Sequence, residues 1–379
     1  MTDAGEQRSG IVVIAGDGAP LDPLRHGGKA CGLQELLRMG LPVPAAIVLP
    51  IDAAAEVAEG VEVGVVTRAF ADLADALDEL RSTGVTPTFA VRSGASISLP
   101  GAFETVLDVE PEAVPEAVAA VVASTRGLRV ETIVRAMGVD AVPPTAVIVQ
   151  RQVDATRDDE SGAGVVTSRD PVTGEPGLAG SIGWRRRGDA VMAGTIAVEA
   201  AASIEPRLPA IAARLRADAA RLEEELGSPV EVEIVIEQGE LWYVQLRTFD
   251  VTMVEVSEAV GEVTAHGRPA SPGTATGELH VDQDEAFDAI DAGRAVIIAL
   301  KTSSPGDVPV MVQAAGVMTV LGSPESHAAV VTRGAGVPAV VAVQGLVIGD
   351  HGIDVAGRRV EVGAPVTIDG TRGTVFIHA

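Results

Sequence analysis

The stretch Gly322-Ser323-Pro324-Glu325-Ser326-His327-Ala328-Ala329-Val330-Val331-Thr332-Arg333-Gly334 constrains this chain more than any other, because it sets a histidine where a glycine-containing loop must run into a short apolar helix. Ser323 and Pro324 disfavour helix ahead of Ser326, which is a good N-cap residue, and Gly334 can close the far end. His327 then falls in the first turn, where unpaired N–H groups and the positive end of the helix dipole favour an anion. Histidine is a competent covalent nucleophile, and a phosphoryl group carried on its imidazole is such an anion. A loop histidine at a helix start is more often a simple cap than a nucleophile; here the surrounding residues reverse that weighting.

Those residues resemble the phosphohistidine segment of enzymes that use or make phosphoenolpyruvate, which usually reads Gly-Gly-x-Thr-Ser-His-Ala-Ala-Val-Val-Ala-Arg-Gly. The likeness continues through Gly336, Pro338, Val340 and Val341. Upstream, Ser271–Gly277 resembles that domain's opening strand, and Val296–Pro305 its next strand and loop. Val366–Val375 resembles its closing hairpin. The resemblance implies that His327 is the phosphocarrier.

With 379 residues the chain exceeds what one hydrophobic core usually serves, so two or three domains are expected. Hydrophobic residues make up 47% and aromatics only 2%, so Val, Ala, Leu and Ile must build the core. Apolar runs such as Val337–Val343 are strand-length, far short of the roughly 20 residues a membrane span needs. The first residues lack the basic and apolar regions of a signal peptide, and a soluble, cytoplasmic protein is expected. The single cysteine, Cys31, excludes an internal disulfide and lies in an expected helix over Ala30–Arg38, as a structural thiol rather than a nucleophile. A net charge of −25 argues against a nucleic-acid surface. A chain this acidic must concentrate its few cations wherever it binds a polyanion.

Along the chain, Val65–Leu80 carries Phe70, Leu73, Leu77 and Leu80 at helical spacing, and residues 111–140 read as helices. Thr145–Val153 and Gly162–Thr167 have strand composition and could pair as a hairpin. Leu208, Ile211, Leu215, Leu222 and Leu226 mark a long amphipathic helix. Val230–Glu237 and Glu240–Gln245 read as a β-hairpin around Gln238-Gly239. Residues 250–268 begin with a helix-like run and end in Gly-Arg-Pro, as an inter-domain linker would.

Gly27-Gly28-Lys29-Ala30 precedes a helix but lacks the frame of a P-loop. Val91-Arg92-Ser93-Gly94-Ala95 followed by Leu99–Thr105 offers a cationic fork, glycines allowing close backbone approach, and a hydroxyl, the makings of a phosphate clamp. Ser161–Glu175 forms a third glycine-rich segment, containing Arg169. In the fourth, Glu231-Val232-Glu233 and Gln245-Leu246-Arg247, residues two apart share a strand face, so both pairs can address one site. Paired carboxylates with neutral oxygens suit Mg²⁺ with phosphates as co-ligands.

In this order the four segments resemble the nucleotide-binding domain of the pyruvate phosphate dikinase family. The implied architecture is α/β (α+β): an ATP-grasp-type nucleotide-binding domain over 1–250, a linker over 251–268, and a swivelling β/β/α phosphohistidine domain over 269–379. By position the resemblance implies that Lys29 and Arg92 hold ATP phosphates and that Gly101 and Thr105 line the phosphate channel. Gln150 would lie by the adenine, Glu233, Gln245 and Glu231 would hold nucleotide and Mg²⁺, and Arg247 would stabilise the transferring charge. Arg169 and Glu175 are further candidates. In that family ATP and phosphate yield AMP, pyrophosphate and phosphohistidine, and a separate barrel then phosphorylates pyruvate.

The segment from Thr105 to Thr145 is shorter than in the family, and no pyruvate-binding barrel is seen before Ala379, so the expected activity is histidine phosphorylation with relay to a separately encoded acceptor domain or protein. Ser323 replaces the second glycine of the phosphohistidine motif, Leu321 stands where the dikinases carry an arginine, and Glu325 replaces a threonine that is a regulatory site in the plant enzymes. A carboxylate there would disfavour a phosphoimidazole by like-charge proximity. These departures keep open a catalytically degenerate nucleotide-binding or regulatory homologue. A rifampin-type phosphotransferase is less well supported, because the acceptor-binding middle domain is missing.

Overall fold

The computed structural model describes residues 12–58, 87–97, 99, 102–251 and 263–378. The expected helix at Val65–Leu80, the helix-like run opening the linker, and Gly101 lie outside the described residues. The chain forms two compact units. The first comprises Met1–Val134, Val139–Val153 and Trp242–Arg247; the second comprises Arg135–Gly138, Asp154–Leu241 and Thr248–Ala379.

In the first unit, strands β1 (Val12–Val13), β2 (Ala46–Leu49), β3 (Phe89–Ala95), β4 (Thr105–Val109) and β5 (Thr145–Arg151) form an antiparallel sheet in the order β1-β2-β5-β3-β4. Strand alternation divides its faces. Ile47, Leu49, Phe89, Val91, Val147 and Val149 point to one side, where Val114, Val118, Val121 and Val122 of the helix Val114–Ser124 complete a core. Each such side chain contributes about 1.5–3 kcal/mol on burial, which lets β-branched residues replace the scarce aromatics. The opposite face carries Arg92 and Gln150.

In the second unit, β6 (Gly162–Arg169) lies between β7 (Pro176–Trp184) and β9 (Val230–Glu237), and β8 (Glu199–Ala200) extends the β7 edge. The amphipathic helix is Pro209–Leu226, burying Ala212, Leu215, Ala219 and Leu222. From β9 the chain turns through Gln238 (φ 52°) and Gly239 (φ 77°), the pair of positive φ values a two-residue hairpin turn requires, into β10 (Glu240–Thr248), of which Trp242–Arg247 belongs to the first unit.

The remainder of this unit contains β11 (Ala265–His266), β12 (Arg268–Ser271), β13 (Thr274–His280), β14 (Val296–Leu300), β15 (Gly316–Thr319), β16 (Ala339–Val341), β17 (Leu346–Gly349), β18 (Gly352–Val355), β19 (Arg358–Glu361), β20 (Pro365–Asp369) and β21 (Thr374–Ile377). Eight of them form one sheet in the order β11-β21-β20-β13-β14-β15-β16-β12, and β17 to β19 form a three-stranded sheet. β13 to β16 run parallel and antiparallel pairs flank them. Ile297, Ala299, Met318, Val340 and Ile368 of the large sheet share a core with Ile353, Val355 and Val360 of the small one. This is the mixed β/β/α arrangement expected for the C-terminal part.

Three expectations are corrected. Thr145–Val153 and Gly162–Thr167 do not form a hairpin: β5 is occupied on both edges by β2 and β3, and β6 by β7 and β9, so neither has an edge for the other. The end of the expected linker enters the large sheet, Ala265–His266 as β11 and Arg268 as the first residue of β12. The helix after His327 runs through Gly334 and ends at Gly336, whose left-handed φ of 68° suits a C-cap.

Candidate functional site

In the first unit, Gly27 closes the helix Pro23–His26 and opens the helix Gly28–Arg38, placing half-buried Lys29 in the first helical turn. The ideal Cβ position at Gly94 lies 3.8 Å from Lys29 Cβ, so the helix start abuts strand β3. Arg92 on β3 pairs in register with Thr105 on β4 and Ile148 on β5, while Gln150 pairs with Ala90. Cross-strand partners share a face, so Arg92, Thr105 and Gln150 stand together opposite the apolar core. The Gln150 amide is 1% exposed, and its Nε2 meets no hydrogen-bond partner among the described residues. A buried donor left this way has a desolvation cost that a polar ligand would remove.

Trp242–Arg247 is held against this unit by several contacts. The Tyr243 N–H donates to the Pro42 carbonyl (2.9 Å), Arg92 Nη1 donates to the Val244 carbonyl (3.4 Å), and the Arg151 guanidinium lies 5.6 Å from the Trp242 ring centroid. Half-buried Gln245 and Arg247 therefore belong with Lys29, Arg92, Thr105 and Gln150. Cys31 is half-buried in the Gly28–Arg38 helix and points its thiol at the Leu21 carbonyl (3.6 Å). Burial, reinforced by the Asp22 charge, raises its pKa, consistent with a structural thiol.

Glu231 and Glu233 lie on β9 in the second unit, opposite Thr167 and Val165 of β6. Among the described residues no group of three or more His, Cys, Asp or Glu side chains is placed to hold a metal. Two carboxylates still fit Mg²⁺ when phosphate oxygens complete the shell. The Thr167 hydroxyl on this face is fully buried and has no hydrogen-bond partner among the described residues.

Arg169 takes a structural place. Its Nε donates to Glu223 at 2.7 Å and its Nη1 to the Gly174 carbonyl at 3.3 Å, in a groove that Glu175 also lines. Burial acts to raise the Glu223 carboxyl, but hydrogen bonds from Ser168 and Arg169, with the Arg169 charge, outweigh it and lower the pKa. A folded-state pKa depressed this way stabilises the fold above the unfolded carboxyl value, and the stabilisation is lost as pH falls through the folded value. Glu223→Gln is therefore expected to lower stability at neutral pH and to converge on the parent below about pH 4; urea unfolding across pH checks it, and a pH-independent gap would refute it.

His327 is the first residue of the helix His327–Ala335, after Ser326 at the N-cap. The Ser326 hydroxyl does not cap the helix; it donates to the Ser323 carbonyl at 2.7 Å, so the first-turn N–H groups keep their capacity for an anion. Ser303 Oγ lies 3.2 Å from His327 Nδ1. Arg333 Nη1 donates to the Pro324 carbonyl (2.5 Å) and to the Ala270 carbonyl on β12 (2.6 Å), tying the loop to the sheet. Ser303 and Arg333 fall within segments that carry the resemblance, but the sequence assigns neither a role. A hydroxyl after a β-strand and an arginine six residues beyond the histidine are weak signals until the fold brings them together.

The profile for the pyruvate phosphate dikinase AMP/ATP-binding domain matches residues 60–199, and that for the PEP-utilising enzyme mobile domain matches residues 293–373. Pyruvate, phosphate dikinase of Rhizobium meliloti (strain 1021) is 30% identical over 310 residues, covering 69% of this chain and 34% of the relative. The dikinase of Clostridium symbiosum is 29% identical over 272 residues (61% and 31%), and pyruvate, phosphate dikinase 2 of Oryza sativa subsp. japonica is 30% identical over 273 residues (62% and 31%). The chain thus spans about a third of the length of these relatives. Among the described residues no helix is long and apolar enough to cross a membrane.

Proposed function

The chain belongs to the pyruvate phosphate dikinase family, with that family's nucleotide-binding and mobile domains, and on this premise we propose that it is an ATP-dependent phosphotransferase that phosphorylates its own His327 and relays the group to an acceptor. The observation that carries this reading is the histidine itself, at an uncapped helix start with a hydroxyl on one ring nitrogen. With Nδ1–H donating to Ser303, Nε2 keeps its lone pair toward phosphorus. The P–N bond forms as a P–O bond of the nucleotide breaks, and the electron pair leaves with the nucleotide.

The chain's own groups supply positioning and charge neutralisation, which dominate phosphoryl transfer. Lys29 and Arg92 hold the phosphates, with Gly101 and Thr105 along their path, and Gln150 donates its buried amide to the base. Gln245 assists with nucleotide and metal, and Arg247 offsets charge on the transferring group. Glu231 and Glu233 are the carboxylates that would hold Mg²⁺ with phosphate oxygens, Gln245 being a further candidate ligand, and the ion would offset charge on the equatorial oxygens. The second phosphoryl acceptor is phosphate or water, phosphate being the one the family implies, and the end acceptor is pyruvate or another acceptor on a separate domain or protein in the cytoplasm.

Incubation with Mg²⁺-ATP and phosphate is expected to add an acid-labile phosphoryl group, seen by intact mass, and to release AMP and pyrophosphate. ATP binding without any covalent gain would replace this reading with a degenerate homologue, the reading that Leu321 in place of arginine favours.

A further inference from the structure

One face of the β6–β7–β9 sheet is apolar, carrying Ile182, Val232, Ile234 and Ile236. The other is polar. Ser181 on β7 is in register with Val165 on β6, which is in register with Glu233 on β9. Cross-strand partners share a face, so Ser181 and Glu233 stand in one row, two strand spacings or roughly 10 Å apart. Ser181 is fully buried, and what covers it is the histidine loop: its hydroxyl donates to Glu325 Oε2 at 2.6 Å. Arg268 Nη2 donates to the same hydroxyl at 3.3 Å, so an Arg268–Ser181–Glu325 chain delivers a charge-assisted hydrogen bond to a carboxylate only 3% exposed.

Further contacts seat the same loop. Thr302 Oγ1, beside Ser303, donates to the Ala193 carbonyl at 3.1 Å. Gly194 (φ 65°) approaches so closely that a Cβ there would lie 3.1 Å from both Gly322 Cα and Ser326 Cβ. These contacts join residues of the AMP/ATP-binding match to residues of the mobile-domain match.

We propose that Glu325 is a positioning residue that docks the His327 loop, through Ser181, onto the sheet face bearing Glu233, in the arrangement from which His327 is phosphorylated. A carboxylate is costly to bury without partners, so the contact is selective for Ser181 with Arg268 behind it. The carboxylate that the sequence presents as an electrostatic burden on the phosphoimidazole is engaged here as the acceptor of the dock. The inference rests on the phosphotransfer reading for its purpose, but the docking can be measured without ATP.

The test uses the full chain with Ser181→Ala, Glu325→Ala, Glu325→Gln and the Ser181→Ala/Glu325→Ala double variant. Hydrogen exchange without nucleotide is read over 176–194 and 322–334, alongside ATP affinity and the rate of phosphohistidine formation at saturating Mg²⁺-ATP. Either alanine is expected to speed exchange in both segments and to slow phosphorylation about tenfold, with ATP affinity within about twofold. Glu325→Gln keeps an acceptor oxygen and is expected to recover most of the rate, and the double variant to be no worse than the poorer single. Exchange confined to the mutated segment, or losses that multiply in the double variant, would overturn the proposal. Coupled exchange in a parent chain that never gains phosphohistidine would support the dock and overturn the phosphotransfer reading instead.

Discussion

A His327→Ala chain incubated with Mg²⁺-ATP and phosphate is expected to gain no acid-labile phosphoryl group, a loss on the order of 10³-fold or more in phosphorylation rate. The reason is covalent: with the imidazole gone there is no nitrogen to accept phosphorus, and water or a neighbouring hydroxyl is a weaker nucleophile without an adjacent base. Folding should survive. His327 is half-buried, Ala is tolerated in a first helical turn, and a hydrogen bond such as the one to Ser303 is worth about 1 kcal/mol. ATP affinity should hold as well, because the substitution alters none of the residues proposed to hold the nucleotide, Lys29, Arg92, Gln150, Glu233 and Gln245. A variant that still acquires the group, with the same acid lability, would place the nucleophile elsewhere.

Gly27→Ala is expected to destabilise the first unit by about 3 kcal/mol or more and to weaken ATP-dependent phosphorylation on the order of 10²-fold. Gly27 sits at φ 78°, ψ 153°, a region essentially confined to glycine. An added Cβ would fall 2.2 Å from the Gly94 carbonyl oxygen and 2.7 Å from its carbon, backbone atoms of the strand that carries Arg92. Relief requires the Gly28–Arg38 helix and β3 to separate, which parts Lys29 from Arg92. Urea unfolding and ATP titration measure the two effects; a change below about 1 kcal/mol with normal affinity would show that the close approach does not hold the pair together.

The helix start at His327 is the most legible part of the sequence, because it is local. Pro324, Ser326 and the apolar run after His327 are enough to start a helix at the histidine, and the structure starts it there. The hairpin turn at Gln238-Gly239 and the helix Pro209–Leu226 were legible for the same reason: turn residues and a 3.6-residue period act within a few neighbours. The C-terminal boundary was less so. Gly334 and Gly336 offer equivalent chemistry, and which one terminates the helix depends on where the chain turns toward β16.

Strand partnership could not be read in this way. Thr145–Arg151 and Gly162–Arg169 each present a plausible edge, and their separation into different sheets follows from competition among distant strands for those edges. Ser181, an ordinary serine in a glycine-rich strand, acquires its place only because β6 aligns it with Glu233 and the loop before His327 closes over it. Residue types and their short-range spacing therefore settle where the helix behind His327 begins and which residues are candidates for phosphate. The pairing of Gly27 with Gly94, of Gln150 with the Arg92 face, and of Glu325 with Ser181 was settled by folding. Each joins segments far apart in sequence, and their approach depends on the packing of whole sheets rather than on any local preference.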